Sequence, residues 1–282
     1  MNLNQLYKKC TAILEQNNIE NAAYESQCLI EKVFGFDRAH MIAFGNHEAD
    51  PEKELLISQF VKRRLNREPL QYILGEWSFM GFEFKVGEGV LIPRDDTEVV
   101  VCLCLDFLKD RQCKKVIDLC SGSGAIAVAL NKIAKANVTA IELSKNAMNY
   151  LNKNIALNQS SVKAMKGDIF ECYTAFPDSE FDLIVSNPPY IITSEIPQLQ
   201  PEVQKEPVMA LDGGADGYDF YKCIITHWSK KLKYGGALAF ELGEGQADSI
   251  KTLMADSGFG NFKISSDFGN IQRAIIGTLM RK

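Results

Sequence analysis

The chain has 282 residues, 46% of them hydrophobic and 24% charged, with a formal net charge of −5 and a pI of about 5.4. That is globular composition, long enough for one large or two modest domains, and it excludes a disordered or fibrous chain. The negative balance excludes bulk attraction to nucleic acid or to an anionic membrane surface; a nucleic-acid partner would need a local basic patch.

The first third reads as short helices. Leu3, Leu6, Tyr7, Cys10, Ile13 and Leu14 recur at helical spacing, and Ala22, Ala23, Cys28, Leu29, Val33 and Phe34 repeat the rhythm. Asp50 before Pro51 marks a helix start, with Leu55, Leu56, Phe60 and Leu65 on its buried face. These segments predict a small helical bundle. The basic run Lys62, Arg63, Arg64 and Arg67 reads as a solvated helix face, with a partner-binding patch as the alternative. From Tyr72 to Val86 aromatics and β-formers alternate with polar residues between glycines, which predicts a β-hairpin.

From about Asp95 helices and strands alternate. Asp95 to Leu108 is read as a helix, 116–119 as a strand, Ser123 to Ala134 as a helix, 138–142 as a strand and Ser144 to Leu157 as a helix. Further strands are read at 162–165, 181–186 and 237–242, with helices near 218–232 and 246–257. Alternation of this kind predicts a parallel, doubly wound sheet. The tail breaks it, because two strand-like runs flank Asp267-Phe268-Gly269-Asn270 with no helix between them, so an antiparallel pair is expected at one sheet edge.

No window reaches the roughly 18 apolar residues of a membrane span, and the first ten residues lack the apolar core of a signal peptide; a soluble, cytoplasmic protein is expected. Cys10, Cys28, Cys102, Cys104, Cys113, Cys120, Cys172 and Cys223 are scattered without a C-x-x-C, so buried reduced thiols are expected. His40, His47 and His227 show no metal-ligand spacing, and no metal site is assigned.

Three motifs carry chemistry. A strand ending at Asp118 and Leu119 runs into Cys120, Ser121, Gly122, Ser123 and Gly124 and then into an Ala-rich helix, so a ligand can approach backbone N–H groups at a helix start. The spacing Gly122, Gly124, Ala127 satisfies G-x-G-x-x-A, and Glu142 ends the next strand, where an acidic residue grips ribose hydroxyls. This loop alone does not separate NAD from S-adenosylmethionine. Asp168 and Ile169 follow the third strand, placed to accept from an adenine amino group and to cover a ring face; a plain turn is the competing reading for Asp168. The third motif is Asn187-Pro188-Pro189-Tyr190. Prolines lack N–H groups and force the preceding residue toward extended geometry, so the Asn187 side-chain oxygen and the Pro188 carbonyl form a fixed acceptor array for a planar NH2 group, with Tyr190 packing on its flat face.

Asn-Pro-Pro-Tyr after a fourth strand resembles the amino-methylating branch of class I S-adenosylmethionine-dependent methyltransferases. With REPLQYILGEWSFMGFEFKV, LIPRDDTE from Leu91 to Glu98, IDLCSGSGAIA, EPVMALDGGADG and DFGNIQRAIIG in order, the chain from about Arg67 to its end is similar to the HemK-type release factor glutamine methyltransferases. Cys120 stands where that family usually has Gly, Asp95 where it has Pro, Lys205 where an aromatic is common, and Ile169 replaces an aromatic. The resemblance implies a Rossmann-like α/β fold, a mostly parallel sheet with an antiparallel edge strand. It divides the chain into a helical, release-factor-binding bundle over 1–70, a hairpin linker over 71–92 and a catalytic domain over 93–282.

It further implies S-adenosylmethionine along Asp118, Cys120, Ser121, Gly122, Ser123, Gly124, Glu142, Asp168, Ile169 and Asn187, with S-adenosylhomocysteine as the product. Asn187, Pro188, Pro189 and Tyr190 become the catalytic group. The implied acceptor is the side-chain amide of glutamine in the Gly-Gly-Gln loop of bacterial class 1 peptide chain release factors, whose methylation modulates translation termination. A monomer without a stable nucleic-acid partner is expected. Methyl transfer to adenine or guanine is the alternative, and an NAD oxidoreductase would leave Asn-Pro-Pro-Tyr unexplained.

Overall fold

A computed structural model describes residues 1–112 and 114–281; Cys113 lies outside the described residues. The chain forms two compact units, one of Met1–Glu76 with Gln200–Lys205, the other of Trp77–Leu199 with Glu206–Lys282.

The first unit is helical: α1 (Leu3–Gln16), α2 (Ala22–Phe34), α3 (Arg38–Phe44), α4 (Pro51–Leu65) and α5 (Leu70–Leu74). Asn2 closes a capping box on α1, and Asp50 caps α4 ahead of Pro51 as the sequence predicts. Leu3, Leu6, Leu14, Leu29, Ile30 and Ile57 are buried together, whereas Leu55 and Leu56 are exposed because Ile57 and Val61 take the inward face of α4. The hairpin starts at Glu76 rather than Tyr72. Pro69 presets the first turn of α5 and Gly75 ends it at φ +74°, so Tyr72 and Ile73 are buried on a helix.

The basic run is only in part a solvated face: Lys62 is exposed, whereas the three arginines are held in ion pairs. Arg64 is buried and fork-paired to Glu25 at 2.6 and 3.2 Å, with a third bond to Glu202 at 2.8 Å; Arg67 reaches Glu202 at 3.2 Å, and Arg63 pairs with Glu68. Glu202 belongs to the Gln200–Lys205 return segment, invisible to any local reading of α4.

The second unit opens with the hairpin of β1 (Glu76–Phe79) and β2 (Phe82–Lys85), followed by α6 (Asp95–Leu108), β3 (Lys115–Leu119), α7 (Ala125–Ala134), β4 (Asn137–Glu142), α8 (Lys145–Leu157), β5 (Lys163–Lys166), β6 (Phe181–Ser186), α9 (Asp219–His227), β7 (Leu232–Glu241), α10 (Ala247–Asp256), β8 (Phe259–Ser266) and β9 (Gln272–Leu279). The seven-stranded sheet runs β5-β4-β3-β6-β7-β9-β8; β5 to β7 are parallel, while β9 is antiparallel to both β7 and β8. Alternate residues supply two cores: Val116, Leu183 and Val185 face α6, α7 and the hairpin, whereas Ile117, Leu119 and Ile184 face α9 and α10.

Two helices are shorter than their periodicity predicts. α7 starts at Ala125 because Cys120, Gly122 and Gly124 all take positive φ, and α9 gives way to a 3-10 turn at Trp228–Lys231 before β7 begins at Leu232. The seven described cysteines are free thiols; Cys10, Cys104 and Cys223 are buried and Cys28, Cys120 and Cys172 half-buried. Cys102 is exposed, since Val100, Val101, Leu103, Cys104 and Leu108 occupy the inward arc of α6. Among the described residues no helix is long and apolar enough to cross a membrane.

Candidate active site

In a parallel sheet the ligand crevice opens beyond the carboxyl ends of the strands, where the strand order reverses. Here the chain leaves β3 outward through β4 and β5, then returns to place β6 on the other side of β3. Leu119 and Ser186 are paired at that junction, and the Ser186 hydroxyl donates to the Leu119 carbonyl at 2.7 Å. The loop after β3 and Asn-Pro-Pro-Tyr after β6 therefore emerge side by side.

Cys120 leaves the strand at φ +61°, so the position where the resembled family has Gly does require left-handed backbone, and Cys adopts it. The Ser121 hydroxyl donates to the Asp118 carbonyl at 2.9 Å, the Ser121 amide to the Ile141 carbonyl at 2.9 Å and the Gly124 amide to the Ser121 carbonyl at 2.8 Å. At Gly122 nothing lies within 4 Å of where a Cβ would stand, which leaves its backbone open to a ligand. The Glu142 carboxylate accepts from the Gly122 amide at 2.8 Å and the Ser144 amide at 2.7 Å; burial raises its pKa against those two bonds. Asp118 lies fully buried beneath the loop with neither carboxylate oxygen at hydrogen-bonding geometry, and burial pushes its pKa to about 7.

A cavity of about 270 Å³ opens here. Cys120, Gly122, Glu142, Asp168, Ile169 and Asn187 lie in its wall, brought together from the ends of four strands. Asp118, Ser121, Ser123 and Gly124 shape the loop from behind and do not line it. Asp168 also fills the turn role weighed against it, its Oδ1 accepting the Phe170 amide at 2.9 Å, while the Ile169 carbonyl is pinned by the Trp228 indole at 2.9 Å.

Asn187 and Pro189 are wall residues; Pro188 is buried and Tyr190 is not in the wall. The Asn187 amide donates to Thr97 Oγ1 at 3.2 Å, which turns its oxygen away from Thr97. Tyr190 departs from the expectation of a ring stacked on an acceptor. Its hydroxyl donates to buried Glu241 at 3.2 Å, and its ring packs in the core beside α9 and α10. Behind Tyr190 runs Gly213, whose missing Cβ would stand 2.6 Å from the Tyr190 Cα and 2.9 Å from the Pro189 carbonyl oxygen.

Sequence reasoning assigned no role to several residues that build this site. Glu206, 3% exposed, accepts the Ile92 amide at 2.9 Å and pairs with Arg94, joining the Pro-Arg segment to the loop before α9. That junction puts Val90, Leu91, Pro207 and Met209 in the cavity wall. Thr97 and Glu241 hold the two ends of Asn-Pro-Pro-Tyr. Their motifs were legible as resemblance, but nothing in local spacing marks which residues meet.

The chain is similar to known proteins along nearly its whole length. A family model described as the PrmC N-terminal domain matches residues 5–75, and one described as the methyltransferase small domain matches residues 96–206. The release factor glutamine methyltransferase of Geobacter sulfurreducens is 40% identical over 268 residues, covering 94% of this chain and 93% of its own length. That of Clostridium acetobutylicum is 35% identical over 272 residues, 95% of each chain. The crystal structure of a methyltransferase from Pyrococcus furiosus matches the fold with a TM-score of 0.53 at 20% identity, covering 72% of this chain and 92% of that one. With sequence identity of this order along nearly the whole chain, the protein belongs to the release factor glutamine methyltransferase family.

Proposed function

We propose that the chain transfers a methyl group from S-adenosylmethionine to the side-chain amide nitrogen of glutamine in the Gly-Gly-Gln loop of bacterial class 1 peptide chain release factors, and so modulates translation termination in the cytoplasm. The observation that carries this reading is the Asn187–Thr97 hydrogen bond, which leaves the Asn187 oxygen as an acceptor in the cavity wall.

The residues present fit the cofactor. Two Glu142 lone pairs remain beyond the two backbone bonds and suit ribose hydroxyls. Open backbone at Gly122 suits the amino-acid end, and Asp168 and Ile169 suit an adenine. Bound there, S-adenosylmethionine supplies an electrophilic methyl group.

A primary amide is a weak nucleophile because its lone pair is delocalised into the carbonyl. The Asn187 side-chain oxygen and the Pro188 carbonyl each accept one of its two N–H groups, and both bonds strengthen as positive charge develops on nitrogen. Held this way, the nitrogen lone pair would be turned toward the methyl group that S-adenosylmethionine supplies. The methylated nitrogen would lose one proton to solvent, with S-adenosylhomocysteine as the other product. The helices of the first unit serve to hold the release factor; Arg63, Arg64 and Arg67 are engaged in internal ion pairs and are not the grip.

The test is label transfer from S-adenosylmethionine to a purified release factor, run beside its loop Gln→Ala variant, DNA and ribosomal RNA. Label on the release factor and none on the variant is the expected result. Label on nucleic acid would overturn the acceptor while keeping the chemistry.

A further inference from the structure

The carboxyl edge of the sheet has two halves. The residues that fit the cofactor follow β3, β4 and β5, and Asn187 follows β6; beyond β6 the edge continues through β7, β9 and β8. Because β9 is antiparallel to β7, its first residues lie at that same edge: Ala274 pairs with Glu241, and the Leu242 amide donates to the Arg273 carbonyl at 2.8 Å. The turn between β8 and β9 therefore emerges on the side of Asn187. β9 lies two strands from β6, roughly 10 Å at the usual strand spacing.

Near the tip of that turn stands Phe268, fully exposed at 108%. Single apolar residues on a surface are ordinary. This one is set on a braced mount. The Asn270 amide donates to the Asp267 carbonyl at 3.1 Å, the Asp267 amide to the Ile271 carbonyl at 2.9 Å, and the Ile271 amide to Asp267 Oδ1 at 3.0 Å. Arg273 bonds Asp267 Oδ2 at 2.8 Å and reaches Asp96 at 3.2 Å, which ties the turn to the first turn of α6. Thr97, the next residue of α6, is the one that holds the Asn187 amide. This accounts for the Asp267 to Arg273 motif, which the cavity wall does not use.

We propose that Phe268 is a docking anchor for the protein acceptor, received in an apolar socket of the release factor beside its Gly-Gly-Gln loop. The proposal rests on the methyl-transfer reading above. With the cofactor beyond β3, β4 and β5, a glutamine that reaches Asn187 brings its flanking chain over the β6, β7 and β9 rim. An aromatic side chain already fixed on a hydrogen-bonded turn loses little further freedom when a partner buries it, which is what an anchor residue requires. The rim also selects the partner's charge. Asp95 at the start of α6 and Glu244 in the turn after β7 are both exposed at this edge, so a cationic protein surface fits and a polyanionic nucleic acid does not.

The experiment compares the full chain with Phe268→Ser, Phe268→Trp and Glu244→Lys. It measures kcat and KM for label transfer to a purified release factor, the Kd of the release factor for protein loaded with S-adenosylhomocysteine, the Kd for S-adenosylmethionine, the urea midpoint and the sedimentation state. Phe268→Ser should raise KM and the release-factor Kd about 10- to 100-fold, the range for truncating an aromatic anchor, with kcat at saturation, cofactor Kd and urea midpoint unchanged. Phe268→Trp should keep KM near the wild-type value, and Glu244→Lys should raise it, most at low salt. Unchanged KM and Kd in Phe268→Ser, or a loss confined to kcat, would overturn the anchor. So would a wild-type dimer that Phe268→Ser dissociates with the release-factor Kd unchanged, since a second copy would then occupy the rim. If wild-type protein binds the release factor through Phe268 yet transfers no label to it, the methyl-transfer reading falls and the anchor stands; if label is transferred and Phe268→Ser changes nothing, the anchor falls and the reading stands.

Discussion

Glu142 accepts the amide protons of both Gly122 and Ser144, so one side chain at the end of β4 ties the glycine-rich loop to the N-terminus of α8. Removing it strips the loop of its support and the cavity of a charged acceptor. Glu142→Ala should weaken S-adenosylmethionine binding about ten- to a hundredfold, the range for hydrogen bonds to a charged group. Isothermal titration checks this; an unchanged Kd would place the ribose elsewhere.

In the proposed mechanism Asn187 acts on the acceptor rather than on the cofactor loop. Asn187→Ala should keep cofactor binding and lose on the order of 10² to 10³ in turnover, as for one aimed polar group. Single-turnover label transfer at saturating cofactor is the measurement, and undiminished turnover would end the assigned role.

Gly213 faces backbone on both sides, the Tyr190 Cα and the Pro189 carbonyl, and neither is a flexible side-chain end that can swing away. Gly213→Ala should destabilise the protein by about 1 to 3 kcal/mol through overpacking and should lower turnover by shifting Asn-Pro-Pro-Tyr. A urea melt and kcat on the same preparation test both halves.

In the first unit Arg64 is charged and buried between Glu25 and Glu202. Glu25→Ala leaves that charge half-compensated and should cost about 3 kcal/mol in a urea melt of the full chain. Arg63→Ala breaks a more exposed pair and should cost less than about 1 kcal/mol.

Burial holds both Asp118 and Glu241 at a pKa of about 7. A carboxyl whose folded pKa is raised binds its proton more tightly when folded, so its contribution is complete below the unfolded pKa and is lost as pH rises through 7. Without cofactor the protein should therefore gain about 1 kcal/mol per carboxyl on going from pH 8 to pH 6. Asp118→Asn should remove its half of that gain; a urea midpoint that falls over the same interval would contradict the assignment.

Much of the second unit was legible from local pattern. Buried strands such as Phe181 to Ser186 read as short apolar runs, and the tail announced its antiparallel pair by having no helix between two strand-like segments. Other readings failed for physical reasons. Tyr72 and Ile73 alternate like a strand, yet Pro69 and Gly75 bracket them as one helical turn. Arg64 looks like part of a solvated face because its partner Glu202 is 138 residues away. Tyr190 looks like a stacking platform because nothing nearby in sequence reveals Glu241 beneath it.

The sequence by itself determined which residues end strands and what chemistry they carry: the Cys120 to Gly124 loop, Glu142, Asp168 and Asn187 all follow apolar runs whose period sets their place. Only the tertiary structure decided which of them face the cavity and which support it. Strand order brings β3 beside β6, and Thr97, Glu206 and Glu241 act through hydrogen bonds to partners far along the chain. Local periodicity records which face a residue buries, whereas a hydrogen bond needs both partners in place, and that is settled only when distant segments pack.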